Sequence, residues 1–191
     1  GIGLAGGAGA AVVGYHMFAH VKRRVAIWQN PWSDYDNAGY QIIHSLMAIA
    51  SGGLFGVGLG LGSPRTIPVY HTDFIFSAIG EEMGYLGCIL VIGLLAAIIF
   101  RCIQVGNRTQ DYFRRLLCYG VASVLIYQTI VNIGMCMGVL PVIGLTLPFI
   151  SYGGSSVASL FAMLGIVSGV HARPAPQSHE RYIHPPVYTL R

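Results

Sequence analysis

Three acidic side chains stand beside or inside a long apolar segment of the chain. The sequence reads HTDFIF over residues 71–76 and GEE over residues 80–82, which places Asp73 before the segment and Glu81 and Glu82 within it. Ionisable groups are costly to keep near hydrocarbon, so in such a segment they are functional candidates by default. A carboxylate at this position could relay protons in a transporter, act as the base of an enzyme on a lipid-linked substrate, or cap a helix. The residues alone leave these roles of Asp73 open.

Glu81 and Glu82 are separated from Asp73 by about two helical turns. At 1.5 Å per residue they lie roughly 12–14 Å further along a helix axis. A cap at the helix start therefore explains neither of them, and both remain candidates for a structural or functional role.

The composition indicates an integral membrane protein. The chain has 191 residues, of which 54% are hydrophobic and 9% are charged, whereas a soluble domain carries about 25% charged residues. The net charge of +4 does not indicate a nucleic-acid partner, because Lys and Arg lie at the ends of apolar segments, where membrane topology explains them. The four cysteines form no C-x-x-C pair, and we interpret them as small packing residues.

The apolar segments and the turn residues predict an all-α polytopic membrane protein with a large external loop. The sequence starts at Gly1, without an initiator Met and already in an apolar stretch, and it shows no signal-peptide pattern. We therefore expect a fragment whose front part is missing. The predicted order is a truncated membrane helix over 1–21, an extracytoplasmic loop over 22–72 with a short re-entrant or interfacial helix over 38–50, a span over 73–100, a cytoplasmic loop over 101–115, a span over 116–140, an extracytoplasmic turn over 141–148, a span over 149–170 and a disordered cytoplasmic tail over 171–191.

The charge distribution predicts which side of the membrane faces the cytoplasm. Residues 101–115 contain four arginines and one aspartate, and cytoplasmic loops carry an excess of Lys and Arg. The helix that follows Asp73 would then run from outside to inside, which places Asp73 on the outer face. Residues 22–24, KRR, would remain outside in a loop of about fifty residues, a length near which the charge rule weakens.

Five separated motifs carry a resemblance to a known family. They are N-P-W-x-D over 30–34, GYQ over 39–41, HTDFIF over 71–76, G-E-E-x-G over 80–84 and LPFISYGGSS over 147–156. In this order and at these intervals the chain resembles, over about residues 24–170, the SEDS family, which comprises the RodA, FtsW and SpoVE proteins of shape, division and sporulation. That family has ten membrane helices, and this chain resembles the last four together with the large external loop.

The resemblance implies a peptidoglycan glycosyltransferase of the bacterial cytoplasmic membrane. Such an enzyme polymerises lipid II on the outer face, with an undecaprenyl-pyrophosphate-linked glycan as donor, and the family's essential acid matches Asp73. Two alternatives stay open, a lipid II flippase in which Asp73 couples transport and a non-catalytic scaffold. The resemblance also implies a partner, a class B penicillin-binding transpeptidase, which we expect on the spans 74–100 and 116–140.

Further site residues are expected on the same motifs. Substrate-binding candidates are Gln41, His71, Thr72 and Ser155, together with Arg65, which either contacts the pyrophosphate or is a charge on the loop surface. One departure from the family pattern is Val69, which replaces a glutamate that many members have four residues before the essential acid. A divalent cation such as Mg²⁺ or Mn²⁺ on the pyrophosphate is compatible with this chemistry, but the sequence shows no metal-ligand set.

Overall fold

The computed structural model describes residues 19–35, 38–62 and 72–172. This part of the chain is helical, with no β-strand among the described residues. Its elements are α1 (Ala19–Gln29), a 3-10 helix (Pro31–Asp34), α2 (Ala38–Gly52), α3 (Ile75–Arg108), α4 (Tyr112–Cys136) and α5 (Gly154–Ala172). The first predicted helix up to residue 18, the tail from residue 173, and the candidates Arg65 and His71 lie outside the described residues.

Three of the described helices, α3, α4 and α5, are long and apolar enough to cross a membrane. At 1.5 Å per residue, the 34 residues of α3 extend well beyond a hydrocarbon core of about 30 Å, so one end of this helix must project into the polar region.

The predicted loop over 101–115 is wrong in extent. Helix α3 continues to Arg108 and α4 begins at Tyr112, which leaves residues 109–111 as the connection. Arginine and glutamine are good helix formers, so a charged stretch need not interrupt a helix. The side chain of Asp111 caps α4 by accepting a hydrogen bond from Phe113 N at 3.0 Å.

Other helix ends also differ from the prediction. Residues 22–24 do not end a helix, because α1 continues to Gln29. Helix α4 ends at Cys136 rather than at residue 140, and α5 begins at Gly154 rather than at residue 149. The predicted turn over 141–148 is therefore only the middle of a longer non-helical connection, residues 137–153.

Helix α3 is broken at Gly84. This residue has φ 68° and ψ −162°, and a Cβ added there would lie 2.3 Å from Gly56 N, so only glycine fits. The glycine-rich segment that follows α2, residues 53–58, runs beside the break and bonds to it. The four hydrogen bonds are Val57 N to Glu81 O (2.9 Å), Gly58 N to Glu82 O (3.1 Å), Tyr85 N to Gly53 O (2.9 Å) and Leu86 N to Leu54 O (3.3 Å).

These bonds replace the helical backbone hydrogen bonds that are lost at the break. In an uninterrupted helix, the amides of Tyr85 and Leu86 would donate to the carbonyls of Glu81 and Glu82. Backbone groups without partners are very costly in hydrocarbon, so a broken helix at membrane depth requires such a substitute. Segment 53–58 is thus part of the α3 structure, although it lies almost thirty residues earlier in the chain.

Two buried clusters hold the helices together. One surrounds the start of α3 and contains Phe74, Phe76, Leu95 and Leu147, among others. The other joins α3, α4 and α5 further along and consists of Cys102, Val105, Cys118, Val121, Ala122, Leu125, Leu160 and Val167. All four cysteines are buried and unpaired, as expected for packing residues.

Helix α1 is fastened to the connection between α4 and α5. Arg24 Nη1 donates to Val142 O at 3.0 Å and to Ile143 O at 3.3 Å. One turn later, Trp28 Nε1 donates to Gly138 O at 2.8 Å. The i, i+4 spacing puts both donors on one face of α1, which holds this connection against the first described helix.

Candidate functional site

Asp73 lies immediately before α3, and its backbone is fixed by α4. The first acceptor within α3 is Phe74 O, which receives bonds from Ser77 N at 3.0 Å and Ala78 N at 3.4 Å. The carbonyl of Asp73 is bonded instead by Asn132 Nδ2 at 2.9 Å. The same Nδ2 donates to Leu145 O at 2.6 Å. The amide therefore ties the residue before α3 to the connection that follows α4.

A second polar side chain holds the preceding residue. Ser151 Oγ donates to Thr72 O and accepts a hydrogen bond from Leu147 N at 2.8 Å. Ser151 is 4% exposed and Asn132 is 0% exposed, so neither exchanges its bonds freely with water. Two consecutive carbonyls, those of Thr72 and Asp73, are thus held from two different elements.

The Asp73 carboxylate itself faces the α4–α5 connection. Asp73 is half-buried, and a Cβ added to Gly144 would lie 3.4 Å from its Oδ2 atom. Its side chain does not cap the helix, since Phe74 occupies the N-cap position and no side-chain bond closes it. No cation pairs with the carboxylate among the described residues. This geometry excludes the capping role for the Asp73 side chain.

An open groove lies next to the residues that hold Thr72. It has a volume of about 540 Å³ and mostly small or apolar walls, and it is lined by Ile75, Ile150, Ser151, Tyr152, Gly153, Gly154, Val157 and Ala158. Because it runs between the start of α3 and the start of α5, it begins within two residues of Asp73.

Gln41 and Ser155 occupy different surroundings. Gln41 lines a smaller cleft of about 140 Å³ with Arg24, Ile27, Ile42 and Val142. Arg24 bonds to residues 142 and 143, directly before the glycine that faces Asp73, so this cleft shares one connection with the carboxylate. Ser155 is exposed in the first turn of α5.

Glu81 and Glu82 do not join the Asp73 cluster. They lie at the α3 break, where a Cβ on Gly62 would be 3.1 Å from Glu81 Cδ and 3.2 Å from Glu82 Cγ. Glu81 is 9% exposed. The structure therefore brings both acids to the glycine-rich segment. Among the residues that the structure describes, no group of three His, Cys, Asp or Glu side chains could hold a metal ion.

Sequence reasoning singled out Asp73 as a candidate but not the residues that hold its backbone. Gln128 and Asn132, four residues apart in the predicted span, by themselves indicate an interhelical contact or a cavity-lining pair, whereas Asn132 bonds to two carbonyls outside the helices. Ser151 lies within the LPFISYGGSS motif, which marked the region without assigning a contact to this hydroxyl. Arg24 was interpreted as a topological charge, and its i, i+4 spacing to Trp28 was the available signal for a shared docking face.

This chain is similar to curated proteins and to solved structures. It is 41% identical over 169 residues to the peptidoglycan glycosyltransferase RodA of Mycobacterium tuberculosis, covering 88% of this chain and 36% of that protein. It is 44% identical over 155 residues to the probable peptidoglycan glycosyltransferase FtsW of Geobacter metallireducens, covering 80% of this chain and 41% of that protein. The chain thus spans well under half the length of these two curated relatives.

Two solved structures share the fold. A chain from a study of how a peptidoglycan synthase complex coordinates polymerization and crosslinking matches with a TM-score of 0.70 and 31% identity, covering 95% of this chain and 49% of that chain. A mutant of the rod shape determining protein RodA from Thermus thermophilus matches with a TM-score of 0.55 and 38% identity, covering 69% of this chain and 40% of that chain. With the three membrane-spanning helices, these matches confirm an all-α polytopic membrane protein.

A family model described as cell cycle protein, that of FtsW, RodA and SpoVE, matches residues 2–175. This range contains all five motifs on which the resemblance was based. The chain therefore belongs to the FtsW/RodA/SpoVE family of cell cycle proteins.

Proposed function

We propose that the intact protein is a peptidoglycan glycosyltransferase that polymerises lipid II on the outer face of the bacterial cytoplasmic membrane, with Asp73 as general base. Family membership and the names of the curated relatives support the reaction class. The observation that carries the proposal is the Asp73 carboxylate, which is half-buried beside an apolar groove, fixed through its backbone, and without a described cation on it.

The chemistry requires one proton acceptor. The 4-hydroxyl oxygen of the acceptor GlcNAc attacks the anomeric carbon of the glycan donor, and its proton passes to the Asp73 carboxylate. The bond from that carbon to undecaprenyl diphosphate breaks, and the electron pair leaves with the diphosphate. A positioned carboxylate contributes typically 10²–10⁴-fold to such a step. Direct attack inverts the anomeric centre, by analogy with inverting glycosidases.

The groove beside Thr72 suits an apolar carrier. Its walls combine small residues at 153, 154 and 158 with aliphatic ones at 75, 150 and 157. Such walls would contact a polyprenyl chain whose polar head lies beside Asp73.

Positive charge near a departing diphosphate stabilises the transition state. Arg65, the original candidate, lies outside the described residues. Arg24 is an exposed guanidinium beside residues 142 and 143 and close to the glycine that faces Asp73, so we assign it this role in the proposal. A divalent cation such as Mg²⁺ or Mn²⁺ would be a further counter-ion of the diphosphate, but the described residues offer no carboxylate–histidine cluster for it, and no step is assigned to it.

The partner belongs to the proposal as well. We expect a class B penicillin-binding transpeptidase on the outer faces of α3 and α4. Both helices present large exposed apolar side chains, including Leu86, Leu90 and Leu94 on α3 and Tyr127 and Ile130 on α4. The structural relative from a study of a peptidoglycan synthase complex that coordinates polymerization and crosslinking supports a crosslinking partner in general.

The test is lipid II polymerisation by the purified intact protein. Asp73→Asn keeps the shape of the side chain and removes the base, so we expect polymerisation to fall by at least about 10²-fold with an unchanged amount of folded protein. The matched control is Asp111→Asn at the far end of α3 and α4, where asparagine still caps the helix, and it should polymerise normally.

Other outcomes would favour the alternative functions. Normal polymer from Asp73→Asn, combined with loss of lipid II delivery to the outer leaflet, would indicate a flippase. A silent Asp73→Asn in both assays would indicate a scaffold. Either result would contradict the proposal.

A further inference from the structure

We propose that Asn132 and Ser151 are positioning residues that place the Asp73 carboxylate for proton transfer. This inference rests on the proposed function, because it assigns these two side chains to the work of that base. Neither is bonded to the carboxylate in the described structure, so both act through the backbone.

Asn132 provides the hydrogen-bond donor for the Asp73 carbonyl, which α3 itself does not provide. The carbonyl of Asp73 precedes the first turn of α3 and lies outside its hydrogen-bond ladder, which starts at Phe74 O. Asn132 Nδ2 carries two hydrogens and gives one to Asp73 O (2.9 Å) and the other to Leu145 O (2.6 Å). The sulfur of Cys136, one turn further along α4, lies 3.6 Å from the same Asp73 oxygen. The end of α4 therefore sets the position of the Asp73 peptide.

Ser151 fixes the backbone one residue earlier, at Thr72. Its hydroxyl donates to Thr72 O and accepts from Leu147 N, which connects the approach to α3 with the turn before α5. Leu145 and Leu147 are thus both hydrogen-bonded to side chains that also bond the backbone of Asp73 and Thr72. Residue 145 directly follows Gly144, the residue that the carboxylate faces, and residue 147 is three positions after it. The two side chains fix both Asp73 and the backbone opposite its carboxylate.

Simple packing does not explain this arrangement. Buried amide and hydroxyl groups contribute little net stability when bonded, and an apolar pair of similar shape could fill the same space. Their value is directional, because a hydrogen bond fixes the position of a carbonyl more tightly than dispersion contacts do. Phe74, directly after Asp73, is 1% exposed and lies in the core. The backbone of Asp73 is therefore fixed on both sides, while the Asp73 carboxylate can still meet the substrate.

The experiment measures kcat and KM for lipid II polymerisation by the purified intact protein, with its thermal unfolding midpoint recorded in parallel. Asn132→Ala and Ser151→Ala should each lower kcat by roughly ten- to a hundredfold, since a displacement of about 1 Å at a reacting group costs that much. KM should stay within about twofold, because the substrate contacts remain. The controls Asn107→Ala and Ser123→Ala remove an exposed amide and an exposed hydroxyl elsewhere on α3 and α4, and should leave both constants unchanged.

The outcomes separate this inference from the function on which it rests. If Asp73→Asn polymerises normally, the proposed function fails. If Asp73→Asn is inactive while a folded Asn132→Ala or Ser151→Ala keeps the wild-type kcat, that residue has no positioning role. A loss expressed only in KM, or failure of both variants to fold, would show that the side chains serve binding or stability instead, and would overturn the inference.

Discussion

At the residue scale, the candidate site is one carboxylate surrounded by backbone. Asp73 could be singled out as a candidate from the sequence, because an acid at the mouth of an apolar segment is a rare and costly choice. Its supports could not, since Asn132 lies 59 residues and Ser151 78 residues further along the chain and no local pattern links them to it. Long-range bonds from side chain to backbone leave no periodic signal.

Gly144 offers a direct test of the space around the carboxylate. Gly144→Ala adds a Cβ only 3.4 Å from Asp73 Oδ2 at a residue with φ 82°. We expect the stability of the protein to fall by about 1–2 kcal/mol because of the left-handed backbone. We also expect kcat for polymerisation to fall, because the carboxylate loses room to reach its substrate.

Gly138→Ala is the matched control. It has a similar φ of 68° in the same connection, but its added Cβ would meet Leu46 and Ile42 instead. Unfolding midpoints and kcat should show comparable losses of stability in both variants and a loss of turnover in Gly144→Ala alone. Equal kcat in the two variants would contradict the claim that the Asp73 carboxylate needs the space beside Gly144.

At the element scale, the break in α3 is the main departure from a simple helical span. The sequence predicted a continuous helix from residue 73, and the glycines at 52, 53, 56, 58, 60 and 62 by themselves indicate a flexible hinge or a phosphate-binding loop. Hydropathy reports which residues prefer lipid, but it carries no information about which backbone amide bonds to which carbonyl. Glycines at 84 and 56 were therefore visible in the sequence as packing or flexibility, whereas they allow a second segment to complete the helix.

Gly84→Ala should destabilise the protein strongly. The new Cβ would lie 2.3 Å from Gly56 N at a residue with φ 68°, so the glycine-rich segment must move away from the break. Left-handed strain and overpacking together should cost at least about 2 kcal/mol. Thermal unfolding in detergent measures the change.

Gly93→Ala, on the same helix, has no atom within 4 Å of its added Cβ. This control should be neutral or more stable by up to about 1 kcal/mol. A Gly84→Ala protein as stable as Gly93→Ala would mean that the four backbone bonds at the break contribute nothing.

At the scale of the whole molecule, the described chain has two chemically different ends. One end carries Asp73, the groove and residues 137–153, and the other carries Arg101, Arg108, Arg114 and Arg115. Hydropathy and charge predicted the number and order of the three described spans, because burial in lipid depends on composition. The helix ends differ from the predicted span ends by several residues, since arginine is compatible with a helix that continues past an apolar stretch.

The orientation of these ends can be measured by cysteine labelling. The four cysteines of this chain are buried, so they should add little background to labelling by a membrane-impermeant maleimide. Val139→Cys, exposed at the Asp73 end, should react in intact cells, and Gln110→Cys, exposed at the arginine end, should react only after the membrane is opened. The opposite pattern would place Asp73 on the cytosolic side and remove the glycosyltransferase proposal.

The repair of α3 by residues 53–58 has a consequence for biogenesis. Four of its backbone hydrogen bonds join it to residues 81–86, which leave the ribosome later. The segment therefore reaches its described structure only once the first turns of α3 have been synthesised.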